Sequence, residues 1–180
     1  YAIKNFKGNK VAFIGMTLKA TPSIVTPSGI STLDFKDEAE TVNALIPELK
    51  VQGAKAVIVV VHEGVVDTTS SVINDCSGIS GALLDIVKRM DDEVDLVISG
   101  HTHQAYLCSL PNSAGRNIPV TSTNAQGRTV TEIDLVIDTE TRDVASIAVD
   151  NVVVDRSNAA VAPVAALTAP TASTWSRWVC

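Results

Sequence analysis

"KAVIVVVHEG", residues 55–64, is a run of mostly β-branched residues of strand length that stops at a histidine and a glycine. A continuous apolar run without polar alternation suits a strand covered on both faces, as in the parallel sheets of α/β proteins. "LVISGHTHQ", residues 96–104, has the same build: a short apolar run, a glycine, then two histidines one residue apart. The 180 residues contain only three histidines, and each sits at the end of such a run. Ligands of α/β sheets collect outside the carboxyl ends of the strands, where loops project side chains into a common crevice. His62, His101 and His103 are therefore candidate metal ligands. Neighbouring strands lie about 4.8 Å apart, close enough for these imidazoles to converge on one ion or a pair of ions. If H-x-H is extended, its outer side chains share a face, so His101 and His103 are expected to point together and Thr102 away. Gly64 and Gly100 let the backbone turn sharply beside them. A lone histidine is more often a surface or satisfied interior residue than a ligand. Three at equivalent strand ends carry more weight.

Outward from these strands the chain alternates. "KVAFIGMT" (10–17) reads as a buried strand, and "TPSIVTPSGIST" (21–32) as a loop. Residues 34–54 carry helical spacing through Val42, Leu45, Ile46 and Leu49, with acids in the first turn and Gly53 where a C-cap belongs. Pro47 conflicts with that helix and predicts a kink or a restart. Residues 77–90 return to helical spacing through Ile79, Leu83, Ile86 and Val87, and "DLVIS" (95–99) is the next strand. The order β, α, β, α, β predicts a layered α/β domain with a largely parallel sheet. After residue 104 the texture changes to shorter strands, "AYLCSL", "IPVTST", "RTVTEIDLVID" and "DVASIAVDNVVV", separated by turns. The clean alternation of "TVTEIDLVID" suits an antiparallel strand with one solvated face. Residues 156–180, rich in Ala, Pro and Thr, read as a linker or disordered tail after a domain portion at 1–155.

Composition bounds the function. Hydrophobic residues are 46%, charged residues 19% and aromatics 4%, so the core is aliphatic. A formal charge of −6 argues against a nucleic-acid backbone as partner, which favours clustered Lys and Arg. No apolar stretch reaches the roughly 18 residues that a membrane-spanning helix needs. The chain opens at "YAIKNFKGNKVAFIG", without Met and without the pattern of a signal peptide, and reads as a piece of a longer polypeptide. Its three cysteines fit no zinc knuckle. Cys76 and Cys108 could be two buried thiols or, in an oxidising compartment, a bridge.

Taken together, "VVVHEG", "SGHTHQ" and "PVTSTNAQGRTVTEIDLVID" resemble the carboxyl-terminal half of a calcineurin-like metallophosphoesterase domain of the 5′-nucleotidase and 2′,3′-cyclic-nucleotide phosphodiesterase family. The similarity covers roughly residues 8–155. It implies half of a layered α/β/β/α sandwich and, in the complete domain, two divalent ions. By the family pattern His62 and His101 would hold one ion and His103 the other. Imidazoles mixed with carboxylates favour Zn, Mn or Fe over Mg or Ca. Two such ions clamp a phosphate ester and support in-line displacement. The placement of Cys76 and Cys108 is similar to that of secreted members, which implies a disulfide and a secreted, periplasmic or cell-surface location.

The family's earlier motifs, Asp-x-His, Gly-Asp and Gly-Asn-His-Asp/Glu, do not occur in this chain. The bridging aspartate, the asparagine ligand and the general-acid histidine are thus expected upstream of Tyr1, on the same polypeptide or on a second chain carrying the N-terminal half. The expected function is a metal-dependent phosphoesterase acting on nucleotide esters, with this chain inactive by itself. The alternative is a non-catalytic fragment or interaction module that keeps the fold without the activity. A phosphoesterase of the same fold acting on sugar or lipid phosphates is a third option. Asn124 could face the site and contact phosphate, or simply be a turn residue tolerating a left-handed backbone. Glu63 could orient a ligand or be a solvated acid, and Gln104 is equally open. Arg116 and Arg128 read as surface residues.

Overall fold

A computed structural model describes residues 1–67, 72–138, 140–141 and 143–155. The expected linker or tail at 156–180 lies outside the described residues. The elements are β1 (Ala2–Phe6), β2 (Asn9–Met16), α1 (Glu38–Val51), β3 (Ala54–Val61), β4 (Val66–Asp67) and β5 (Ile79–Ser80). They continue with α2 (Ala82–Arg89), β6 (Leu96–Ile98), β7 (Ala105–Pro111), β8 (Asn117–Thr123), β9 (Thr129–Ile137) and β10 (Val144–Val153). The main sheet has the order β1-β2-β3-β6-β8-β7. Its four central strands run parallel, while β1 and β7 pair antiparallel at the edges. β9 and β10 form a separate antiparallel ribbon.

The unalternating apolar runs are explained by what covers each face. In β3, Val57, Val59 and Val61 join the core beneath the helices, with Val42, Ile46, Leu49, Leu83 and Val87. Ala56 and Ile58, on the other face, meet Ile133, Leu135, Ile147 and Val149 of the ribbon. Burying each large aliphatic side chain contributes about 1.5–3 kcal/mol, and the two faces together hold the sheet dry. The expected α/β layering with a mostly parallel sheet and short antiparallel strands is what the chain forms: helices, sheet and a second β layer.

Helix α1 starts at the N-cap Asp37, whose side chain accepts from the Glu40 N–H, and ends with Gly53 at φ +82°. Pro47 sits inside it with its ring on the exposed side, so it removes one backbone donor without ending the helix. Asp37 also accepts two hydrogen bonds from Arg89 at the end of α2, at 2.8 and 3.2 Å. The Arg89 guanidinium holds the Asp37 carboxyl well below the usual carboxylate range.

Two elements differ from expectation. Helix α2 begins at Ala82, not at residue 77, because Ile79 pairs with Asp67 in β4–β5 and Gly81, at φ +133°, turns the chain into the helix. Strand β1 was not anticipated: Lys7 and Gly8, both at positive φ, fold residues 2–16 into a hairpin.

Two buried polar side chains join segments distant in sequence. Asp95 accepts from the Val57 N–H at 2.9 Å and lies 3.5 Å from Arg116 Nη2, which fixes the amino ends of β3 and β6. Asn151 donates to the carbonyls of Ile73, Tyr106 and Ser122 and accepts from the Thr131 and Thr121 hydroxyls. It bolts the ribbon to the edge of the main sheet.

A disulfide joins Cys76 to Cys108, 32 residues apart, settling the choice between bridge and free thiols. The closed loop contains α2, β6 and the His101–His103 segment. Loop-closure entropy for that span predicts that reduction, or the Cys76→Ser/Cys108→Ser pair, lowers unfolding free energy by roughly 3–4 kcal/mol in denaturant titrations.

Burial pushes the Asp95 carboxyl up to about 6. A carboxyl raised in the folded state binds its proton more tightly there than in the unfolded chain, so stability falls as pH rises from about 4 to 6. Relative to Asp95→Asn, the wild-type chain is expected to lose roughly 2–3 kcal/mol across that interval, read from unfolding at a series of pH values.

Candidate metal centre

Parallel pairing sets the site. β2, β3, β6 and β8 end side by side, and a cavity of about 560 Å³ opens at their carboxyl ends. Met16, His62, Ser99, Gly100, Ser122 and Asn124 are among the residues that line it. His62 follows β3 directly, and its N–H donates to the Met16 carbonyl of β2 at 3.0 Å. His101 follows β6 by three residues. The Nε2 of His62 and the Nδ1 of His101 face each other at 3.3 Å, with ring centroids 5.0 Å apart and an interplanar angle of 69°.

Two nitrogens facing each other at that distance need either a shared proton or a common cation. Nitrogens bound to one Zn-like ion at about 2.0–2.1 Å stand roughly 3.0–3.4 Å apart, so this donor pair fits one ion without rearrangement.

His103 is exposed and makes no hydrogen bond or ring contact with the other two among the described residues. Nor do the described residues contain any group of three or more His, Cys, Asp or Glu side chains placed to hold a metal ion. Convergence of all three imidazoles on one point is therefore not what forms. The reason is local. The H-x-H segment is not extended: His101 and His103 lie at φ +68° and +57°. The Thr102 N–H reaches back to the Gly100 carbonyl at 2.8 Å, closing a three-residue turn centred on His101. Strand alternation does not apply to such a turn. A left-handed backbone costs a non-glycine residue about 1–2 kcal/mol, and outliers of this kind gather at functional sites.

The two histidine loops are in direct contact. The Gly100 N–H donates to the Glu63 carbonyl at 3.1 Å, and Thr102 Oγ1 donates to the Val65 carbonyl at 2.8 Å. A Cβ on Gly64 would enter the Gly100 carbonyl oxygen and come within 2.8 Å of Thr102 Oγ1. Only glycine allows this approach. Glu63 accepts from the Gly64 N–H at 2.9 Å, so its carboxylate braces its own loop.

Asn124 lines the cavity and also has a left-handed backbone, at φ +67°, with its side-chain oxygen held by the Ala125 N–H at 2.8 Å. The turn role and the cavity-facing role are thus compatible. Gln104 accepts from the Asp67 N–H at 2.6 Å, a structural contact. Arg116 is committed to Asp92 and Arg128 to Gln126.

Sequence reasoning missed three supporting residues: Ser99, Thr102 and Tyr106. Tyr106 is fully buried, its hydroxyl 3.1 Å from the Val65 nitrogen and 2.6 Å from Ser99 Oγ. Burial pushes its phenol up, so it remains a neutral hydroxyl. The available signal was an aromatic residue three positions after His103, in a sequence with only 4% aromatics.

No family model matches the sequence. Individual proteins do. The calcineurin-like phosphoesterase YfkN of Bacillus subtilis superposes with a TM-score of 0.58 at 23% identity, covering 81% of this chain and 45% of that one. The fold is that of the calcineurin-like phosphoesterases. In sequence, the chain is 31% identical over 157 residues to endonuclease YhcR of B. subtilis, covering 87% of this chain and 12% of that protein. It is 29% identical over 119 residues to a 5′-nucleotidase of Vibrio parahaemolyticus, covering 65% of this chain and 20% of that protein. The chain's homologues and structural neighbours are 5′-nucleotidases and calcineurin-like phosphoesterases, consistent with a carboxyl-terminal 5′-nucleotidase fragment. It spans about one eighth to one fifth of the length of these two sequence relatives.

Gly64→Ala is expected to lower unfolding free energy by roughly 1–3 kcal/mol through this overpacking, and to separate the two imidazoles. Loss of any nuclear Overhauser contact between the His62 and His101 rings would report the separation.

Proposed function

We propose that this chain is the carboxyl-terminal part of a metal-dependent phosphoesterase that hydrolyses nucleotide phosphate esters through a two-metal site. The facing of His62 Nε2 and His101 Nδ1 at 3.3 Å carries the reading, because that spacing suits two ligands of one divalent ion. His62 and His101 would hold one ion, and His103, on the exposed side of the same turn, the other. Zn, Mn and Fe suit a donor set of imidazoles supplemented by carboxylates.

Such ions, when bound, polarise the phosphoryl group and stabilise the charge that develops during displacement. The chain's own residues supply the rest. The imidazoles of His62 and His101 offer ring nitrogens from fixed positions, because the His62 backbone is tied to β2 and the His101 turn is closed on Gly100. Met16, Val60 and Ile98 give the cavity an apolar wall. Asn124, with its oxygen occupied, has its amide nitrogen to donate to a phosphoryl oxygen.

The bridging carboxylate and the general acid belong to motifs outside these 180 residues, so the isolated chain is inactive. They would be supplied by the same polypeptide or by a second chain. The disulfide supports a secreted, periplasmic or cell-surface location. Among the described residues no helix is long and apolar enough to cross a membrane.

The test is hydrolysis of nucleoside monophosphates and 2′,3′-cyclic nucleotides by the longest natural form of the protein, with Mn²⁺ or Zn²⁺. Turnover is expected to fall about 100-fold or more in His62→Ala and His101→Ala, and to vanish after chelation. Undiminished turnover in either variant would overturn the assigned roles.

A further inference from the structure

We infer that Tyr106 is a positioning residue for this centre: its buried hydroxyl clamps the two histidine loops at the separation that one ion requires. The inference rests on the proposed sharing of an ion by His62 and His101, and it concerns a residue that contacts neither ring.

One hydroxyl links the two ends of the clamp. Ser99 Oγ lies within hydrogen-bond distance of the Thr121 carbonyl, at 2.8 Å. It also pairs with the Tyr106 hydroxyl at 2.6 Å, a contact in which either oxygen can be the donor. The Tyr106 oxygen in turn accepts from the Val65 N–H at 3.1 Å. The result is a hydrogen-bonded chain from Val65 through Tyr106 and Ser99 to Thr121, whose members polarise one another. Val65 lies three residues after His62, and Ser99 two residues before His101. One hydroxyl therefore reaches both loops at once.

The other links between the loops are closer to the surface. Thr102 is part-buried, as is Gly100, whereas Tyr106 and Val65 are fully buried. Tyr106 is also anchored from behind: its carbonyl accepts from Asn151, and Cys108 of the same strand is locked to Cys76. The hydroxyl is thus presented from a rigid strand rather than from a loop. Removing it leaves the buried Val65 N–H without this partner and takes one partner from Ser99 at the cavity wall, a loss that loop movement would relieve. Because the two imidazoles sit on those loops, such movement changes their bite.

The experiment titrates this 180-residue chain with Zn²⁺ and follows the His62 and His101 ring protons by NMR, at a temperature where every variant is folded. The wild-type chain is expected to show saturable, simultaneous shifts of both rings. Tyr106→Phe is expected to weaken Zn²⁺ binding about tenfold, within the range for residues that orient ligands from behind. Ser99→Ala, which breaks the other end of the clamp, is expected to act in the same direction. Leu83→Ala, in the core beneath α2, serves as the comparison: it lowers the melting temperature and leaves Zn²⁺ affinity unchanged. Wild-type affinity in both Tyr106→Phe and Ser99→Ala, with only a lowered melting temperature, would overturn the positioning role while leaving the metal site standing. Absence of any coupled response in the wild-type chain would overturn both.

Discussion

The parallel adjacency of β3 and β6 is the constraint from which the candidate site follows. Two apolar strands pair in register, Ile58 against Leu96 through Val60 against Ile98, and each ends in a histidine-bearing loop. Pairing brings the loops to within one strand spacing. The glycine at position 64 closes the remaining distance, because any side chain there would collide with the Gly100 carbonyl. Asp95 fixes the opposite end of the same pair through the Val57 N–H. The centre is thus set by a two-strand ladder pinned at both ends, and the helices and ribbon serve to keep that ladder dry.

Local strain and long-range support are distributed in a consistent way. His101, His103, Asn124 and Gln126 all have positive φ, and all lie on loops at the carboxyl ends of strands. Each conformation is unfavourable by itself, of order 1–2 kcal/mol. The opposing contributions come from outside the loops: the Thr102 and Gly100 bonds, the Tyr106 chain and the disulfide behind it. Strain held by a packed scaffold is how a protein keeps side chains in positions that the free chain would not choose.

Much of the architecture was legible because it depends on patterns that are local. Unbroken apolar runs identified β2, β3 and β6 as buried, and the acid-rich start and Gly53 end located α1. Ile79 was misassigned because its spacing fits a helix equally well, and only the pairing with Asp67 and the turn at Gly81 decide otherwise. The Lys7–Gly8 hairpin lacks the Asn-Gly signature that announces such turns. At the site, the residue types were readable but the geometry was not. Nothing in "GHTHQ" reveals that both histidines adopt left-handed backbones, since that depends on a turn closed by Thr102 and on a neighbouring loop 39 residues earlier in the chain. The partners of Tyr106 and Asn151 are likewise not readable locally, because they lie strands apart, although an aromatic near the histidine pair marks Tyr106 as unusual.

Asn151 bears on how far the polypeptide can be trimmed. Its side-chain amide bonds carbonyls from three separate segments and its oxygen takes two hydroxyls, three of these five bonds being buried. A shortened version ending anywhere before it would remove the partner of the buried Tyr106 and Ser122 carbonyls. The ribbon contributes no ligand, yet it is inseparable from the half of the sheet that does. The smallest autonomous unit of this architecture must therefore extend past the last asparagine of "DVASIAVDNVVV", far downstream of the histidines whose placement it protects.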